Sequence, residues 1–89
     1  MYNYKEERHK IFTEDGSVKF NKVRDNVKAL IKQSGAVSMR HAIKVISGGD
    51  SWEMMAYVDR LVELGEIREI TGKEVFGQDR VFVEVVRNA

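Results

Sequence analysis

Basic side chains are concentrated in one stretch of this 89-residue chain. Between Val18 and Ser47 there are seven bases and one acid, Asp25, which gives a net charge of +6. The bases are Lys19, Lys22, Arg24, Lys28, Lys32, Arg40 and Lys44. Such a stripe can neutralise phosphates, so it indicates contact with a nucleic-acid backbone. Two alternatives stay open: the stripe is a solvated face, or it is one half of a charge-complementary dimer.

The following stretch, residues 50–66, has the opposite charge. It has five acids and one base, Arg60, so its net charge is −4. These acids repel duplex phosphates, although a glutamate can accept a hydrogen bond from cytosine and a helix N-terminus attracts phosphate. Trp52 lies near the start of this stretch. It is either an exposed anchor for a protein partner or, as we favour, a ring that folds back over the preceding helix and closes the core.

Signals for catalysis and for metal binding are missing from the sequence. There is no cysteine, which excludes disulfides, thiolate nucleophiles and the usual zinc ligand sets. The sequence has no glycine-rich phosphate loop, no nucleophile elbow and no metalloprotease motif. We therefore expect no enzymatic activity, no metal and no cofactor. His9 and His41 are far apart in the sequence, and His41 is interpreted as a surface residue that could donate to phosphate.

Length and composition predict one ordinary globular domain. Hydrophobic residues make up 43% of the chain and charged residues 33%, which is typical of a soluble protein. No window approaches the roughly 18 consecutive apolar residues that a membrane-spanning helix needs. The first ten residues, MYNYKEERHK, lack the apolar core of a signal peptide. These features predict a cytoplasmic protein without membrane association.

The clearest predicted element is a helix from Asp50 to Leu64. Asp50 is a good N-cap, Glu53 stands where a capping box needs an acid, and Gly65 stops the helix. Its apolar residues from Met54 onward lie within about half of the helix surface, so that half faces a core. The other half is a polar arc, which consists of Trp52, Glu53, Ala56, Asp59, Arg60 and Glu63.

The basic stripe coincides with a predicted amphipathic helix that ends at Gly35. Its apolar residues recur every three or four positions and are Phe20, Val23, Val27, Leu30 and Ile31. Ser17 or Asn21 is its predicted N-cap, and residues 14–17 indicate a turn before it. Residues 1–10 are interpreted as a loose arm or as a short helix that docks elsewhere. Residues 9–13 are interpreted as a short strand.

A short second helix and two strands complete the predicted elements. Ser38 caps this helix, and its inward-facing residues are Met39, Ala42, Ile43 and Ile46. Residues 47–49 end it and form the turn into the helix at Asp50. Residues 66–70 and 80–86 have the alternation and the β-branched residues of strands that pair as an antiparallel hairpin. The predicted fold class is α+β.

This order of helix, short helix, turn, helix and hairpin resembles the winged-helix version of the helix-turn-helix fold over residues 18–86. The most characteristic run, which looks like the closing turn of a third helix that enters the wing, consists of Leu61, Leu64, Gly65 and Ile67. The resemblance implies that residues 50–64 form a recognition helix and that residues 71–79 form the wing. It also implies a dimeric transcription regulator.

Together these inferences predict a single winged-helix domain at residues 18–89. It has a three-helix core and a two-stranded antiparallel wing, and an N-terminal arm and turn at residues 1–17 precede it. The arm would add a strand or mediate dimerisation.

The leading hypothesis is a DNA-binding or transcription-associated protein that binds double-stranded DNA. Its predicted contacts are Lys28, Arg40, His41 and Lys44 with phosphates, Ser51, Trp52 and Arg60 near the groove, and Lys73 and Arg80 from the wing. The second hypothesis is a protein-interaction module that uses the acidic third helix, Trp52 and the tyrosine-bearing arm, and that binds no DNA.

Overall fold

The computed structural model describes residues 1–45 and 50–86. Within these ranges, four helices and a three-stranded antiparallel sheet form an α+β fold, as predicted. The helices are α1 (Tyr4–Glu7), α2 (Glu14–Ser34), α3 (Met39–Ala42) and α4 (Ser51–Glu63). The strands are β1 (Val37–Ser38), β2 (Ile67–Glu69) and β3 (Val81–Glu84). Single 3-10 turns lie at Arg8–Ile11, Ile43–Val45 and Gly77–Asp79.

Helix α4 begins and ends where its sequence signals predict. The carboxylate of Asp50 accepts a hydrogen bond from the backbone N–H of Trp52 at 2.9 Å, which confirms Asp50 as the N-cap. Gly65 follows the helix with a φ of 74°, in the left-handed region that glycine adopts without strain. Met54 and Met55 are buried in the core, as predicted.

Helix α2 ends at Gly35, as predicted, but it begins earlier than predicted. The hydroxyl of Thr13 accepts from the backbone N–H of Gly16 at 2.9 Å, so Thr13 is the N-cap. The predicted turn at residues 14–17 and the predicted caps at Ser17 or Asn21 are therefore wrong. The acids at positions 14 and 15 belong to the first helical turn, where the positive end of the helix dipole favours them.

The predicted strand at residues 9–13 is also wrong. Asn3 caps α1 through its side chain, which accepts from the backbone N–H of Lys5 at 2.9 Å, and the 3-10 turn continues directly from that helix. Ile11 is buried in the core, whereas its neighbour Phe12 is 52% exposed. One anchoring side chain at the end of a capped helix favours a turn over a strand. The predicted division of the chain after residue 17 falls inside α2.

The sheet has the strand order β1-β3-β2. Strands β2 and β3 form the predicted antiparallel hairpin, with Ile67 opposite Glu84. Strand β1 was not predicted, because two residues carry no alternation; it pairs with β3 and places Val37 opposite Phe82. The sheet therefore has three strands instead of the predicted two-stranded wing. The hydroxyl of Ser38 accepts from the backbone N–H three residues on, which confirms the predicted cap of α3.

The core lies between α2, α3, α4 and the sheet. Its largest fully buried side chains are Tyr57, Phe82, Met39, Leu61, Val23, Val27 and Val58. Burial of each such side chain stabilises the fold by about 1.5–3 kcal/mol. The predicted inward position of Ile46 and the predicted turn at residues 47–49 lie outside the described residues.

We expect Gly16→Ala to lower the free energy of unfolding by about 1–3 kcal/mol, as overpacking does. A Cβ at Gly16 would lie 2.3 Å from the backbone oxygen of Ile11, which is backbone and cannot move aside as a side chain does. Gly72→Ala is the matched control, since the atoms nearest its Cβ would belong to the flexible carboxylate of Glu74. Urea denaturation of both variants measures the difference. Equal stability would contradict the close approach at Gly16.

Candidate functional site

The outward face of α4 is covered by the chain's own N-terminus. We call residues 1–12 the N-terminal segment. The hydroxyl of Tyr2 donates to Asp59 at 2.5 Å, and the hydroxyl of Tyr4 donates to Glu63 at 2.9 Å. Beneath the segment, Ala56 is fully buried and Asp59 is 8% exposed. The middle of the predicted polar arc is therefore an intramolecular interface, whereas Trp52 and Glu63 keep exposed surface.

Glu63 is the acceptor at the C-terminal end of this interface. Besides Tyr4, it accepts from Arg8 of the N-terminal segment at 3.1 Å and from Arg60 of its own helix at 2.5 Å. These hydrogen bonds, with that of Arg8 the largest, lower the pKa of Glu63 to about 2. Both guanidinium groups lie over the ring of Phe12, at 4.9 and 5.1 Å from its centre.

Asp59 is the acceptor at the middle of the interface. It accepts from Arg80 at 2.8 Å, and the same guanidinium donates to Glu69 of β2 at 2.8 Å. Arg80 is largely buried, with 16% of its side chain exposed. Burial alone would lower the pKa of this guanidinium, but its bonds to the two carboxylates raise the pKa above its usual range. Burial and the bond to Asp59 likewise raise the pKa of the Tyr2 hydroxyl.

The predicted phosphate contacts lie outside this interface. Lys28 pairs with Glu66 at 3.2 Å, and Arg40 pairs with the acid Asp79 at 3.2 Å. The ring of His41 shares a 2.8 Å hydrogen bond with the hydroxyl of its cap residue, Ser38. Lys44 is exposed after α3. The structure gives the predicted phosphate contacts of α2 and α3 acidic or local partners, with Lys44 as the exception.

The other predicted contacts divide between the interface and the solvent. Arg60 and Arg80 form the ion pairs described above, so both guanidinium groups already have carboxylate partners within the chain. Ser51 and Lys73 are exposed. The favoured interpretation, in which Trp52 closes the core over α3, is wrong. Trp52 is 39% exposed, and its ring meets that of Tyr2 edge-on at 6.4 Å between centres.

A groove separates the N-terminal segment and α4 from the connection between β2 and β3. Its walls include the aromatic rings of Tyr2, Trp52 and Phe76, and the Arg80 ion pairs lie beside them. Phe76, between β2 and β3, is 67% exposed. The groove therefore combines an exposed aromatic surface with paired charges that largely cancel each other.

The second hypothesis assigned the tyrosine-bearing arm to a partner, and sequence reasoning missed that Tyr2, Tyr4 and Arg8 bond α4 of the same chain. Two signals could have found this contact. Ala56 is a small residue in the middle of a polar arc, as expected where another backbone approaches closely. The arm also carries hydrogen-bond donors and a guanidinium, which are the natural partners of an acid-rich helix.

Comparisons with protein-family models, with curated proteins and with solved structures each gave no match. Within residues 1–45 and 50–86, no three acidic or histidine side chains are grouped so that they could hold a metal ion. In the same ranges, none of the helices has both the length and the apolar character needed to cross a membrane.

We expect Arg80→Met to lower the free energy of unfolding by about 3 kcal/mol, because it leaves the buried carboxylate of Asp59 without its cation. Arg40→Met is the control, since its partner Asp79 is exposed, and it should cost less than about 1 kcal/mol. Thermal or urea unfolding measures both losses. Similar losses in the two variants would contradict a special role for Arg80.

The lowered pKa of Glu63 predicts a pH dependence of stability. The folded pKa is about 2 and the ordinary value is 4.5, so the contribution of Glu63 is complete above pH 4.5 and falls as the pH decreases towards 2. Glu63→Gln should therefore lose less stability over this interval than the unaltered chain does. Glu84→Gln, at an exposed position, is the control. Urea unfolding at several pH values measures the slopes, and equal slopes for all three chains would refute the assignment.

Proposed function

We propose that this chain is a winged-helix domain that binds a protein partner and does not read DNA bases with α4. The order of α2, α3, α4 and the β2–β3 hairpin supports the winged-helix assignment, because it is the order on which the resemblance rests. Strand β1 adds to this arrangement by pairing with β3 on the side opposite β2.

Burial of α4 on its outward side is the observation that carries the proposal. A helix reads bases from within the major groove, which is about 12 Å wide, so its outward side chains must be accessible. Here Ala56 is fully buried and Asp59 is nearly so. The carboxylates of Asp59 and Glu63 already accept from tyrosine and arginine donors. The outward side chains at Asp59 and Glu63 are therefore not available for hydrogen bonds with base edges.

The electrostatics of the basic stripe also favour a protein partner. Four of its seven bases form ion pairs with acids of the same chain: Lys19 with Asp15, Arg24 with Asp25, Lys28 with Glu66, and Arg40 with Asp79. Such pairs reduce the charge that can replace counterions on DNA. Within the described ranges, Lys22, Lys32 and Lys44 have no ion-pair partner. They favour a second candidate function, contact with phosphates without base reading.

The aromatic groove supplies the surface for a partner. Trp52 and Phe76 are exposed on its walls, and large aromatic side chains dominate the binding energy of protein interfaces. The charges of Asp59, Glu69 and Arg80 are paired with one another. A partner that covers the groove would bury apolar area, and it would have to satisfy the net charge of −1 that two carboxylates and one guanidinium leave. A homodimer and a cytoplasmic location stay predictions.

The test is a titration of the purified chain into random-sequence duplex DNA at low and at physiological salt, with its mass in solution measured in the same buffers. We expect no micromolar binding at either salt concentration, because α4 is covered and most of the stripe is paired. The control is the double variant Lys28→Glu with Lys44→Glu. Micromolar binding that weakens steeply with salt and is lost in this variant would overturn the proposal in favour of DNA.

A further inference from the structure

We infer that the outward face of α4 is a binding site for a short segment of a partner protein that carries tyrosine hydroxyls and an arginine, and that the N-terminal segment is its built-in competitor. This inference rests on the proposed protein-binding function and names the partner's chemistry. The partner replaces the N-terminal segment on Asp59 and Glu63.

The chemistry of the site is defined by what occupies it now. Asp59 and Glu63 stand four residues apart on α4, so their carboxylates point from the same face of the helix. Each accepts from a tyrosine hydroxyl, and Glu63 also accepts from a guanidinium. One turn before Asp59, the small side chain of Ala56 is fully buried, and one turn earlier the ring of Trp52 meets that of Tyr2 edge-on. The site therefore selects hydroxyl-bearing aromatic rings and a cation.

Charge complementarity points to a basic segment and not to an acidic one. Residues 50–66 have a net charge of −4, and the first ten residues have three bases against two acids. An acidic peptide or a nucleic acid would bring like charge against Asp59 and Glu63. Tyrosine hydroxyls and guanidinium groups instead donate charge-assisted hydrogen bonds to both carboxylates.

The part of the N-terminal segment that precedes the buried Ile11 is held in a way that allows its displacement. Glu7 is buried at 6% exposure and has one ion-pair partner in the structure, Lys10. The Nε of Arg8 is buried and has no hydrogen-bond partner among the described residues. Both features oppose docking, because burial removes water from charged groups without fully replacing it. Helix α1 has only four residues, too few to be stable when detached. A partner segment without these costs competes effectively.

The test uses the full chain and a synthetic peptide with the sequence of residues 1–12. In the protein variant Tyr2→Phe with Tyr4→Phe, the two rings remain but the hydrogen bonds to α4 are lost. The N-terminal segment therefore detaches from α4 more often. The apparent affinity for the peptide scales with the open fraction. We expect the peptide to bind this variant about tenfold more tightly than the unaltered chain, as loss of one or two hydrogen bonds implies. Trp52, the single tryptophan, reports binding by its fluorescence.

Three controls make the result specific. A peptide in which both tyrosines are phenylalanine should bind the variant more weakly by a similar factor. Tyr57→Phe removes a hydroxyl that donates to Glu53 and not to the N-terminal segment. It should leave peptide affinity at the level of the unaltered chain. Arg8→Ala removes one hydrogen bond from the N-terminal segment to Glu63, so it should also raise peptide affinity. This variant replaces the tyrosine variant if the latter does not fold.

Equal peptide affinity for the opened and the unaltered chains, or no binding up to millimolar peptide, would overturn this inference. The DNA titration decides the proposed function separately. Salt-sensitive DNA binding would overturn the proposed function whatever the peptide does. Absence of both DNA and peptide binding would overturn only the site assigned here.

Discussion

The ion pair between Arg80 and Asp59 joins α4, the β2–β3 hairpin and the N-terminal segment. Asp59 lies in the middle of α4, Arg80 directly precedes β3, and the same guanidinium reaches Glu69 of β2. Tyr2 of the N-terminal segment bonds the same aspartate. A buried charge is tolerated only when its hydrogen bonds are satisfied. The helix, the hairpin and the segment must therefore close around these charges together.

This constraint changes the role that the acidic side chains of α4 have in the folded protein. On a free recognition helix, its carboxylates would only repel phosphate. In the folded chain they accept hydrogen bonds from tyrosine and arginine, so their negative charge holds the chain's own N-terminal segment. The hydroxyls that satisfy them come from a segment with a short helix and an unpartnered Arg8 Nε, and such segments belong to the low-stability end of a structure. The same weakly held segment therefore covers the carboxylates of α4 and, in our proposal, can be replaced on them.

Much of the fold was predictable because its signals are local. Asp50, Gly65, Gly35 and Ser38 mark helix ends through bonds or backbone angles that involve only nearby residues, and the hairpin strands show their own alternation. The failures have two causes. Thr13, Ser17 and Asn21 are all competent caps, so the sequence leaves the start of α2 ambiguous, and in the structure Thr13 accepts from the backbone N–H of Gly16. Strand β1 is too short to carry a pattern, and its pairing with β3 defines it.

The sequence by itself determined the α+β class, the helix at residues 50–64, the core methionines and the separation of positive from negative charge. Tertiary structure alone decided where the charges go. Tyr2 and Asp59 are 57 positions apart, and Tyr4 and Glu63 are 59 apart, so no spacing rule connects them. Periodicity shows which face of α4 is polar, but a polar face looks the same in sequence whether water or a tyrosine hydroxyl satisfies it. The choice between them depends on packing that brings distant residues together.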